Sequence, residues 1–132
     1  MQGIGVGMAT TYDWTGRQGD TEKLFEFTCA DANGRVDLSG ALAVRFHLAK
    51  AAGKPIIIDA DATVLDDGTG SQDIASGAPQ GDGQYEWLPT ETDDLIGAYV
   101  AEIEVTMADG KPLTFPDGDN AYSHLFFSKQ LA

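Results

Sequence analysis

At 132 residues the chain has the size of one domain, long enough to bury about two-thirds of the surface its unfolded form exposes. A hydrophobic content of 42% excludes wholesale disorder, and a single cysteine, Cys29, excludes a disulfide framework within one chain. The formal charge of −13, with eight Lys and Arg scattered singly, excludes the basic patch that nucleic acid or an anionic membrane requires.

Residues 1–20 read as an extended arm. Ile4, Val6 and Met8 alternate with Gly3, Gly5 and Gly7, and two aromatics, Tyr12 and Trp14, follow. No positively charged start precedes this stretch, so it does not read as a signal peptide, and no apolar run is long enough to span a membrane. Such a segment has too little side chain for a core of its own. It suits docking along a neighbouring subunit, with Ile4, Val6, Met8, Tyr12 and Trp14 as candidate contacts; a frayed terminus is the alternative.

From Glu22 the period changes. Phe25, Phe27 and Cys29 alternate with Glu26 and Thr28, as in a half-buried strand, and Asn33-Gly34 supplies a tight turn. Ala41 to Lys50 holds helix-formers, yet Leu42, Val44, Phe46 and Leu48 alternate with Ala43, Arg45, His47 and Ala49. A helix would put Arg45 inside the apolar stripe, whereas a strand puts all four large groups on one face. The strand is predicted. The next strand places Ile56, Ile58, Ala60, Ala62 and Val64 inward, with Asp59, Asp61 and Thr63 outward.

Residues 66–83 show no periodicity and read as a long surface loop. Tyr85 and Trp87 predict a short strand closed by Pro89. Tyr99, Ala101, Ile103, Val105 and Met107 form the clearest alternation, followed by a turn at Ala108-Asp109-Gly110, a return strand with Leu113 and Phe115, and a last strand from about Tyr122 to Ser128. The chain therefore predicts an all-β, immunoglobulin-like two-sheet antiparallel sandwich of about seven strands, spanning residues 21–132 behind the arm. Phe25, Phe27, Phe46, Trp87, Tyr99 and Ile103 are its expected fold-keepers. Trp87 is the plug between sheets. Tyr99 is placed for a tyrosine corner, its hydroxyl bonding upstream backbone, although Ala101 stands where antibody domains carry a cysteine.

Chemistry-bearing patterns are sparse. His47 is expected on an outer strand face and His124 at a partly buried packing or interface position, with no metal spacing between them. Asp59 and Asp61 share one strand face, and a cation held by the turn carboxylates Asp117 and Asp119 stays open as an alternative to a solvated turn. Cys29 reads as a buried apolar group. No pattern calls for a catalytic group or a cofactor.

Five pieces in order carry a family resemblance: the strand and Asp-x-x-Gly turn leading to Val36-Asp37-Leu38-Ser39-Gly40-Ala41; Tyr85-Glu86-Trp87; Gly97-Ala98-Tyr99-Val100-Ala101-Glu102; Ala108-Asp109-Gly110-Lys111; and Thr114-Phe115-Pro116-Asp117. Together, over about residues 20–128, they resemble the immunoglobulin-like domain of bacteriophage tail and baseplate proteins, as at the N-terminus of siphophage baseplate upper proteins. The stretch from Asp66 to Gly83 departs from that pattern, and no receptor-binding domain follows. The resemblance implies a non-enzymatic docking component of a virion, assembled in the bacterial cytoplasm. Its partners would be other virion proteins and further copies of itself, with neither nucleic acid nor membrane among them. Alternatives are a capsid decoration or head-fibre protein, and a carbohydrate- or cell-surface-binding module stacking on Tyr12, Trp14 or loop residues.

Overall fold

Strand structure forms wherever an alternating run can turn one face inward. The structure, a computed structural model, describes residues 12–65, 81–118 and 121–130. They form β1 (Trp14–Arg17), β2 (Phe25–Thr28), β3 (Ala30–Asp31), β4 (Gly34–Arg35), β5 (Ala43–Ala49), β6 (Ile56–Asp61), β7 (Thr63–Val64), β8 (Asp82–Tyr85), β9 (Gly97–Thr106), β10 (Pro112–Phe115) and β11 (Ser123–Ser128). No helix occurs among the described residues, so none is long and apolar enough to cross a membrane. Ala41 to Lys50 is a strand, as its alternation predicts.

The larger sheet has the order β1-β11-β9-β5-β6, with β10 also on β9. The smaller has the order β2-β8-β7, and β3 and β4 make a separate hairpin. All pairings are antiparallel except β1 with β11, where Trp14 lies opposite Leu125 in parallel register. The described segments outnumber the seven or so strands expected because partner changes divide continuous runs. β6 and β7 are separated only by Ala62, whose N–H donates to the Val44 carbonyl at 2.8 Å while the chain passes from the larger sheet to the smaller.

The two sheets face each other across one aromatic-rich core, an arrangement consistent with a β-sandwich. Phe46 of β5 is stacked on Tyr85 of β8, with centroids 4.3 Å apart, and meets Phe25 of β2 at 5.3 Å. Trp87 stands edge-on to Phe46, Tyr85 and Phe127, and its indole N–H donates to the Lys23 carbonyl at 2.9 Å. Burying each such ring contributes about 1.5–3 kcal/mol, and satisfying the indole N–H avoids an unpaired buried donor. Phe25, Phe46, Trp87, Tyr99 and Ile103 are all buried, and Phe27 is half-buried at the core's margin. The Tyr99 hydroxyl accepts from the Ile96 N–H at 3.1 Å, the corner its position predicts.

Several expectations are corrected. The strand expected at Tyr85 and Trp87 ends at Tyr85, and it begins at Asp82, inside the predicted loop 66–83. Gly83 faces the Phe27 ring so closely that a Cβ there would come within 2.4 Å of it, which suits a bare backbone in that strand. Residues 66–80 lie outside the described residues. Leu42, expected inward, is 68% exposed; it precedes β5, whose inward groups Val44, Phe46 and Leu48 are the buried ones. Ile56 is 51% exposed: a register shift between Leu48 and Ala49 breaks the alternation that would have turned it inward.

Candidate functional site

The sequence pointed to the arm, and its described portion runs against expectation. Ile4, Val6 and Met8 lie outside the described residues. Trp14 is not offered to a neighbour: it is 9% exposed, its rings lie against Phe127 and Trp87, and its indole N–H donates to the Leu24 carbonyl at 3.0 Å. Lys23 lies over the ring at 5.2 Å and also donates to the Thr15 carbonyl. The cause is β1 itself, because pairing with β11 turns Trp14 and Leu125 to the same inward face. Tyr12 is half-buried, with its ring 5.1 Å from Phe126, whose neighbours Leu125 and Phe127 are the buried ones. Tyr12 therefore lies on the outer face of the larger sheet.

The second feature is a groove of about 530 Å³ along β2. Phe25, Phe27, Ile103 and Phe115 give it an apolar lining, and exposed Asp13, Glu26, Asp31 and Asp117 stand around it. β2 is the end strand of the smaller sheet, with β8 on one side and no strand on the other among the described residues. The Cys29 N–H donates to the Gly81 carbonyl at 2.8 Å, which sets the phase of the ladder. By antiparallel alternation Phe27 and Phe25 direct their backbone groups at β8, while Glu26 and Thr28 direct theirs at the open side. This groove was not read from the sequence. The alternation of β2 shows which side chains face inward, and carries no information on how many neighbours the strand has.

The third feature is a polar cluster on the outer face of the larger sheet. Arg45 of β5 donates from Nε and Nη2 to Asp59 Oδ1, at 3.0 and 2.9 Å, and from Nη1 to Asp61 Oδ1 at 2.7 Å. The Arg45 hydrogen bonds are the first cause that holds the Asp59 carboxyl below its ordinary range. His47 lies on the outer face, as expected, but only 11% of its side chain is exposed: Nε2 is 3.1 Å from Asp59 and Nδ1 is 3.5 Å from Glu102. These groups tie β5 to β6 and β9. The Asp59 and Asp61 pair is thereby engaged with a guanidinium.

The remaining polar groups mostly serve local structure. Glu91 accepts from the Tyr85 hydroxyl at 2.7 Å and the Leu88 N–H at 3.1 Å, while Asp37 and Asp109 accept from backbone two residues on. Cys29 is fully buried, and burial, with the Asp82 charge adding to it, pushes its thiol up to about 12, so it is protonated at neutral pH. His124 is exposed, contrary to the partly buried position expected, since it faces away from the core between Ser123 and buried Leu125. Asp117 is exposed and Asp119 lies outside the described residues; among the described residues no cluster of three or more His, Cys, Asp or Glu is placed to hold a metal ion.

No protein-family model matches this chain, and a search of curated proteins finds no significant match. What stands on its own geometry is a domain with an aromatic interior and, beside β2, an apolar groove at the end of the smaller sheet among the described residues.

Proposed function

We propose that this chain is a docking component of a bacteriophage virion, built on an immunoglobulin-like sandwich and held at the tail, baseplate or tail-fibre attachment among copies of itself and other virion proteins. The immunoglobulin-like reading is supported by strand order. Immunoglobulin domains set strands two and five in one sheet and strands three, six and seven in the other. Here β2 and β8 share the smaller sheet, while β5, β9 and β11 sit together in the larger. The Tyr99 corner at the head of β9 adds to it. The docking reading is carried by the edge of β2, which has no strand beyond it among the described residues, and by the apolar groove beside it. The polar cluster of Arg45, Asp59 and Asp61 is engaged in joining β5 to β6, and Glu91 separately holds the turn after Tyr85.

Burial of Trp14 weakens the carbohydrate-binding alternative, because one of its two aromatic platforms is part of the core. The test is antibody labelling of intact particles whose genome encodes the chain. Label at the tail end is expected. Label over the head would move the protein to capsid decoration, and purified particles without label would overturn the virion reading.

A further inference from the structure

We propose that the groove beside β2 is a docking site for an extended segment of another protein, one that alternates apolar side chains with Lys or Arg and adds to β2 as a further strand. The inference rests on the docking reading above and names the chemistry of the partner.

Backbone and volume define the form of the occupant. β2 is the end strand of its sheet among the described residues, and Glu26 and Thr28 direct their N–H and C=O groups away from β8. A strand laid there takes up those groups and sends alternate side chains into the groove. At about 530 Å³ the groove is far larger than a bound water or ion needs. Phe25, Phe27, Ile103 and Phe115 line it, so the side chains that enter are apolar.

Charge defines the other face of the occupant. Asp13, Glu26, Asp31 and Asp117 stand exposed around the groove, and its lining contains no Lys, Arg or His. Among the described residues none of these four carboxylates takes part in an ion pair. On an added strand the side chain opposite Glu26 shares its face, so Lys or Arg there makes a cross-strand pair of opposite charge. A neutral strand would take water from these carboxylates and return no counter-charge. That cost turns the choice away from the chain's own apolar alternation. Asp13 lines the groove and residues 1–12 adjoin it in sequence, yet they contain no charged side chain, in this copy or in any other. A basic segment also finds the groove faster, because a chain of net charge −13 attracts it from a distance.

The test uses the full chain and a short synthetic peptide in which Val and Lys alternate, with both ends blocked. In the free protein the Glu26 and Thr28 amide protons are expected to exchange quickly with solvent, and to slow by about tenfold or more when the Val-Lys peptide is added. Protection of both amides before any peptide is added would mean that this chain or a copy of it fills the groove, and would overturn the proposal. A peptide with Glu in place of Lys is expected to bind about tenfold more weakly or worse, and so is a Val-Lys peptide methylated at the amide nitrogens that face β2. Any basic peptide is drawn to an acidic protein, so location decides: the amide spectrum must change at Phe25–Thr28, Ile103 and Phe115. Changes elsewhere alone, equal binding of the Lys and Glu peptides, or undiminished binding of the methylated one would each overturn it. Glu26→Lys with Asp117→Lys, both at exposed positions, is expected to weaken the Val-Lys peptide by about tenfold and to favour the Glu peptide; unchanged affinities also overturn it. Fast-exchanging amides that bind no peptide, alongside labelled particles, would sink the basic strand and spare the virion reading; a bound peptide with unlabelled particles would do the reverse.

Discussion

Val44, Phe46 and Leu48 on β5 and Phe25, Phe27 and Cys29 along β2 present the same two-residue alternation, but their surroundings differ. β5 has a strand on each side, β6 and β9, and its three inward groups are buried. Among the described residues β2 has β8 alone, and Phe27 is half-buried beside the groove. Alternation decides which face a residue takes. The number of neighbouring strands decides how completely that face is sealed, and whether backbone groups remain for a partner.

This contrast can be broken most strongly at Phe46. Phe46→Ala removes a fully buried ring that touches Phe25, Tyr85 and Trp87, and is expected to cost about 3–5 kcal/mol in chemical denaturation. Phe27→Ala on the open side is expected to cost about 1–2 kcal/mol, because part of its ring is already in contact with water. Equal losses at the two positions would mean that the groove is sealed in solution. Tyr99→Phe keeps the ring and deletes only the acceptor for the Ile96 N–H; about 0.5–1.5 kcal/mol is expected, read from the same denaturation midpoint.

The smallest effect belongs to the outer face of β5. The Asp59 carboxyl is held below its ordinary value by Arg45, so ionised Asp59 favours the folded state. Its contribution is fully present above the unfolded aspartate value of about 3.9 and is lost as pH falls through the lowered folded value. Denaturation between pH 7 and pH 3 is expected to show a shallower acid loss in Asp59→Asn than in the parent. High salt should narrow the difference, because the pair is exposed. An identical acid profile in both proteins would show that the Arg45 fork adds nothing to folding.

The strands at Phe25, Phe46 and Tyr99 were legible because each alternates large apolar and polar groups over several residues. Their inward faces follow directly. The corner at Tyr99 was legible too, since it depends on a turn and an aromatic a few residues apart. Trp14 was misread because its local neighbours are Gly and polar residues, and nothing nearby signals a core. Its burial comes from β11, more than a hundred residues away in the chain. Ile56 was misread for the opposite reason: its alternation is regular, but consecutive Leu48 and Ala49 pair with Ile58 and Ile56, and the skipped Ile57 of its own strand moved it outward. His47 was placed on the correct face, yet its covering by Asp59 and Glu102 comes from strands on both sides.

The sequence by itself determined an all-β chain, the inward and outward faces of its longer strands, and a charge balance unsuited to a polyanion. Those are properties of neighbours along the chain, where a period of two and the turn residues act locally. Only the tertiary structure decided that Trp14 belongs to the core, that Arg45 grips both aspartates of β6, and that β2 is the end strand of its sheet among the described residues. Each depends on which strand lies beside which, and neighbours such as β1 and β11 or β2 and β8 are separated by tens of residues, beyond the reach of local pattern.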